Sequence, residues 1–138
     1  MLIEKISLST MAKFIQVKYD MENNVYIDDV IFKLKHKYDN FTWLIEIEPC
    51  ISNNLAQINT YLCKNIDNVK CQQNYIKNNN IIIKIRTKGD KVLMDTTVNI
   101  FDKLDNKDLI GTLYLDQIWL YKGVYHYKWK LDKLRFKE

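Results

Sequence analysis

Alternation of apolar and polar side chains runs through most of this chain and restricts its fold more than any other feature. In residues 41–48, Phe41, Trp43, Ile45 and Ile47 fall on one side and Thr42, Leu44, Glu46 and Glu48 on the other. That is the period of a strand with one buried face. Pro49 has no amide to give to a ladder, so the strand stops there. Residues 30–36 alternate in the same way, and the connector Lys37-Tyr38-Asp39-Asn40 is short enough to join the two segments as a hairpin. Further strands are expected over 3–8, 14–19, 58–62, 81–86, 92–101, 110–115 and 124–131, separated by polar stretches such as Asn78-Asn79-Asn80 and Asp105-Asn106-Lys107-Asp108. Thr87-Lys88-Gly89-Asp90-Lys91 reads as a second hairpin, with Gly89 able to take a positive φ.

Eight or nine short strands at this spacing imply an all-β fold, an antiparallel eight-stranded β-sandwich with at most one short helix. Ser52 could cap that helix, yet Ile58, Thr60 and Leu62 alternate like a strand. At 138 residues, with 47% hydrophobic and 28% charged side chains and no repeat or long linker, residues 1–138 form one domain. Phe32, Leu34, Trp43, Ile45, Ile47, Val98, Ile100, Leu113 and Leu115 are the expected core.

Little in the chain points to catalysis. His36 and His126 lie in expected strands, without a second His or Cys at metal-ligand spacing. Gly89, Gly111 and Gly123 are too far apart to build a phosphate loop. Cys50, Cys63 and Cys71 are odd in number and lack a C-x-x-C spacing, so they read as reduced thiols of a cytoplasmic protein, with Cys63 buried beside Leu62. The N-terminal Met1-Leu2-Ile3-Glu4-Lys5 does not read as a signal peptide, and no apolar run reaches membrane-spanning length. No cofactor is called for, except that Asp102, Asp105 and Asp108 fall in one expected loop, where their oxygens could converge on calcium. Asn106 adds a neutral oxygen, while Lys103 and Lys107 oppose a cation there.

The net charge of +4 is mild and its signs are interspersed, which favours a protein partner over nucleic acid. Basic residues gather only near the C-terminus, where aromatic ones gather too. Tyr121, Lys122, Tyr125, Tyr127, Lys128, Trp129 and Lys130 are therefore the candidate partner-binding residues, fitted to an acidic protein or to a membrane surface. The other reading makes Tyr125, Tyr127 and Trp129 a buried strand face, with Lys128 and Lys130 solvating the opposite one.

Val98-Asn99-Ile100-Phe101-Asp102-Lys103-Leu104-Asp105-Asn106-Lys107-Asp108-Leu109-Ile110-Gly111-Thr112-Leu113-Tyr114-Leu115, with Leu120-Tyr121-Lys122-Gly123 and Trp129-Lys130-Leu131 after it, resembles the calcium- and phospholipid-binding β-sandwich domain of the protein kinase C type. The likeness covers roughly the last third of the chain. It implies calcium at Asp102, but Leu104 stands where that family has a second Asp; members lacking the full acid set bind proteins or lipids without calcium. Trp43-Leu44-Ile45-Glu46-Ile47-Glu48-Pro49 with Ile58-Asn59-Thr60-Tyr61-Leu62 is similar to the peptide-binding sandwich of meprins and tumour-necrosis-factor receptor-associated factors, and the strand pair ending at Pro looks like poxvirus host-range proteins. The functional expectation is a non-catalytic interaction module binding a protein. Its alternatives are calcium-dependent phospholipid binding, and a small viral or parasite factor binding a host protein or nucleoprotein assembly. The abundance of Asn, Lys and Ile would suit the AT-rich genome of such a source.

Overall fold

Most of the alternating segments among the described residues become strands, but several run longer than the pattern marks and they close on one another. The computed structural model describes residues 17–19, 25–65, 76–88, 91–92 and 96–137. In chain order the elements are β1 (Val17–Tyr19), β2 (Val25–Asp39), β3 (Thr42–Ile47), α1 (Pro49–Asn65), β4 (Ile76–Lys77), β5 (Asn80–Ile85), β6 (Thr87–Lys88), β7 (Lys91–Val92), β8 (Asp108–Tyr121) and β9 (Val124–Phe136). The strand expected over 3–8 lies outside the described residues.

The eight-stranded sandwich is not what forms. β2 pairs with β3 along one edge and with β8 along the other, β3 continues to β5, β5 to β9, and β9 returns to β8. The result is one closed five-stranded barrel, in which β8 comes back over a long connection to lie beside β2, a Greek-key path. All its ladders are antiparallel except β5–β9. Alternation marks which side chains face a core; it does not say whether the strands split into two sheets or roll into one.

Several ladders carry irregularities, and two bulges flank β8 where it meets β2 and β9. Asp28 and Asp29 of β2 face the single Thr112 of β8, and Lys133 and Leu134 of β9 face the single Gly111. Asp29 (φ 52°) and Lys133 (φ 51°) take the left-handed backbone that such an extra residue can require. Side chains hold both kinks. The Thr112 hydroxyl donates to Asp28 Oδ1 at 2.8 Å, Arg135 pairs with Asp29, and the Lys133 amide donates to Asp132 Oδ1 at 2.7 Å. The inward rhythm resumes at Val30 beyond the first kink and at Leu134 within the second, both fully buried. Gly111 lies between the kinks. A Cβ there would sit 3.0 Å from Leu131 Cδ1 and 3.2 Å from the Asp132 carbonyl oxygen.

Hairpin chemistry agrees with residue type. Lys122 and Gly123 (φ 50° and 77°) join β8 to β9, and Asn78 and Asn79 (φ 52° and 65°) join β4 to β5, each a two-residue turn with both centres left-handed. β6 and β7 form the hairpin expected around Gly89.

All nine expected core residues are buried, lining the barrel with Ile81, Ile83, Tyr127, Trp129 and Leu131. Its two ends are plugged differently. At one end sits α1, which replaces the strand expected over 58–62. Ile51, Leu55, Ile58 and Leu62 recur at helical spacing and join the barrel core. Pro49 suits the first position of this helix, and Ile51 N and Ser52 N donate to Glu48 O at 3.0 and 3.1 Å. Asn59 of α1 accepts the Tyr127 hydroxyl from inside the barrel. At the other end is 96–107; of the strand expected over 92–101, the described residues 96–101 form none. This segment inserts Val98, Ile100 and Leu104 and is stitched to the rims by Thr97 N to Leu134 O and Asn106 N to Leu34 O, both 2.9 Å.

Trp43 is fully buried, so Trp43→Ala should cost about 3–5 kcal/mol, whereas Gly111→Ala should cost about 1–3 kcal/mol by overpacking between the kinks. Urea denaturation checks both, and an unshifted midpoint for either would contradict the barrel packing. Burial raises the Tyr127 pKa, so the folded state keeps a proton that the unfolded chain releases from about pH 10. Stability from this group is complete below that pH and is lost as pH rises above it. Ultraviolet titration should show one tyrosine ionising only on unfolding, and Tyr127→Phe should remove that step.

Candidate functional site

The proposed C-terminal aromatic surface divides between the two faces of β9. Tyr127 and Trp129 point inward, at 2% and 4% exposure, and cannot be contact anchors. Ring area buried in the barrel stabilises the fold instead. Lys128 and Lys130 alternate with them and are half-buried on the outer wall, while Lys122 is exposed in the β8–β9 turn. The side chains of Tyr121 and Tyr125 lie outside the described ones. Alternation therefore keeps Lys128 and Lys130 on one face and separates them from Tyr127 and Trp129.

Register supplies the lysines with other neighbours. Lys130 is flanked by Lys84 of β5 on one side and by Tyr114 of β8 on the other. Lys84 neighbours Thr42, and Tyr114 neighbours Tyr26. Tyr26 and Tyr114 stack with centroids 5.5 Å apart, and the Arg86 guanidinium lies 4.2 Å from the Tyr114 centroid. Arg86 also pairs with the buried Asp132 at 3.7 Å. Tyr114 is thus covered, although it faces outward. A second row runs from His36 to Leu44 to Ile82, and Tyr38 meets His36 edge-on at 4.9 Å. Lys84 and Arg86 escaped attention in the sequence because their neighbours come from other strands.

The three acids do not converge. Asp108 pairs with Lys33 at 3.8 Å across β2 and β8. Asp102 and Asp105 lie in the plugging segment, where Lys37 reaches in from β2 and donates to the carbonyl oxygens of Ile100 and, at 2.7 Å, Asp102. Burial lowers the Lys37 pKa, while Asp105 and then Asp102 act to raise it. A side-chain ammonium thus supplies the positive charge that the acids were expected to draw from calcium. Among the described residues no three His, Cys, Asp or Glu side chains are grouped to hold a metal. Leu104 is buried as a plug residue, and an acid there would have no place in the core.

The same end of the barrel carries exposed rings. Among the described residues, the large apolar side chains left exposed are Tyr38 (54%), Phe101 (64%) and Phe136 (47%). Phe101 leans edge-on against Phe41, and the Lys107 ammonium sits 5.6 Å from the Phe136 centroid. A solvent-open cleft of about 370 Å³ lies between β2 and the start of α1, edged by Lys33, Glu46, Glu48 and Asp108.

The cysteines also differ from expectation. Cys50 is exposed on α1, and Cys63, near the end of that helix, is exposed and disulfide-bonded rather than a buried thiol. An odd count excludes neither a bridge nor an accompanying thiol, so the argument for a reducing compartment fails. No helix of the described residues is long and apolar enough to cross a membrane.

Lys37→Met should lower stability by about 1.5–3 kcal/mol by unpairing the carbonyls it caps, read as a shifted urea midpoint. Millimolar calcium should leave the melting temperature of the wild-type protein unchanged; a rise of several degrees would restore a calcium role for the acids. No protein-family model, curated protein or solved structure matches this chain.

Proposed function

We propose that this barrel is a non-catalytic interaction module that docks a protein partner through the end plugged by 96–107. One observation carries the reading: the exposed large apolar side chains of the described residues are all aromatic and all at that end. Burying such residues is costly to forgo and rewarding in a contact, which is why aromatic rings concentrate where protein interfaces gain their energy. Phe101 is the strongest anchor, at 64% exposure on a segment whose backbone is held by Lys37 and the strand rims. Lys103, Lys107 and Lys137 stand exposed around the rings and would serve an acidic rim on the partner. This moves the proposed contact from the C-terminal strand face to the opposite rim, with the acidic partner kept as its complement.

The experiment is a pull-down from the source cell with wild-type protein and with a Phe101→Ser, Phe136→Ser pair, followed by affinity measurement on whatever separates them. The double variant should melt within a few degrees of wild type, since both rings are exposed, and should bind at least tenfold more weakly, about 1.4 kcal/mol. Equal capture by a folded variant would remove this end as the contact.

A further inference from the structure

Asn40-Phe41-Thr42 has the form Asn-X-Thr, the acceptor sequence for N-linked glycosylation. Asparagine is abundant here, yet no other Asn is followed two residues on by Ser or Thr. Abundance alone produces such triplets, so the match acquires weight only from where it falls and from the surroundings the chain is built for.

The triplet falls on the β2–β3 hairpin. Asp39 pairs with Thr42, which leaves Asn40 and Phe41 as a two-residue turn. Three bonds fix the backbone of that turn: Trp43 Nε1 donates to Asn40 O at 3.1 Å, Phe41 N to Asp39 Oδ1 at 2.8 Å, and Ile85 N to Phe41 O at 2.8 Å. Thr42 donates to the Asp39 carboxylate through both its amide and its hydroxyl. The Asn40 side chain takes no part in this network and is exposed. A sugar in place of one of its amide hydrogens removes no contact among the described residues, and a bulky polar group is tolerated at such a surface position. The surroundings are indicated by Cys63, which is disulfide-bonded. Disulfides persist in the secretory lumen and outside the cell, and the same lumen is where Asn-X-Thr is modified. Hairpin tip and disulfide are built from unrelated residues and call for one compartment.

We propose that Asn40 is an N-glycosylation site and carries one oligosaccharide at the tip of the β2–β3 hairpin. The donor is an oligosaccharide joined through a diphosphate to a lipid carrier. The bond from the sugar's anomeric carbon to the diphosphate breaks, a bond from that carbon to Asn40 Nδ2 forms, the lipid diphosphate leaves, and the amide gives up one proton. Nothing is oxidised or reduced. Asn40 adjoins Phe41, on which Phe101 leans, so the glycan borders the docking end and leaves its exposed rings in place. The site does not depend on the docking proposal.

The test uses the full chain recovered from its source cell. Intact mass should fall by one glycan on treatment with peptide N-glycosidase in heavy-oxygen water, and residue 40 should be recovered as oxygen-labelled Asp. Asn40→Gln should lack the glycan and melt within a few degrees of wild type, since the side chain carries no contact. Thr42→Ser should keep the glycan, because Ser also completes the acceptor triplet, whereas Thr42→Ala should lose it. Alkylation without reductant should leave Cys63 unlabelled. An unmodified Asn40 in the wild-type protein overturns the proposal, and the alkylation then tells whether the compartment fails with it. A glycan that survives in Asn40→Gln overturns it as well. Neither result touches the docking end, which the Phe101→Ser, Phe136→Ser pair tests by capture.

Discussion

Closure depends on the accommodation of β8 between two kinked neighbours. Gly111 and Thr112 form a straight run that faces two residues where it would ordinarily face one, first on β2 and then on β9. Each extra residue adds local twist, and the two together curl the sheet until β2 meets β8. The absence of a side chain at Gly111 leaves room for Leu131 and Leu134, and the hydroxyl of Thr112 holds Asp28.

Rolling the sheet determines what can be functional. A barrel of five strands has an interior filled by its own side chains, so Tyr127 and Trp129 are committed to the core, and recognition is left to the wall and the ends. One end is occupied by α1. The other is closed by an irregular segment whose inner residues are apolar and whose outer ones include Phe101, and Lys37 binds that segment to the barrel through its backbone carbonyls. The proposed contact surface is therefore mounted on a fixed support rather than on a loose loop, which would reduce the ordering cost of association.

The sequence discloses the inward face of nearly every described strand, because burial and the period of two leave the same mark in Phe32, Leu34, Trp43 and Ile45. It does not disclose which strands are neighbours. Closure rests on one-residue insertions at Asp29 and Lys133, and those residues look like ordinary polar positions in a list of letters. Helix α1 was masked by a coincidence: Ile58, Thr60 and Leu62 happen to alternate, while the helical set Ile51, Leu55, Ile58 and Leu62 spans a longer window. The lysine row was invisible for the reason that closure was, since Lys84 and Lys130 are 46 positions apart and meet only through the β5–β9 ladder. The acids of 102–108 looked like a metal loop because the cations beside them, Lys37 for Asp102 and Asp105 and Lys33 for Asp108, come from a distant strand.

That β5–β9 ladder has only two registered pairs, Lys84 with Lys130 and Ile85 with Leu131, extended by the Arg86 amide to Leu131 O. It is also parallel, the less stable pairing per residue, whereas the β8–β9 hairpin beside it is long. If the cylinder parts anywhere, it parts along this seam, leaving both large hairpins intact and baring two unpaired strand margins. Amide hydrogen exchange would reveal it as early loss of protection on the facing groups of β5 and β9. Bared margins invite another chain to add a strand, and lysines on such a margin are a common guard against that. The same two charges would then repel a second copy of the chain whenever the cylinder opens, a safeguard against self-association placed where the wall is thinnest.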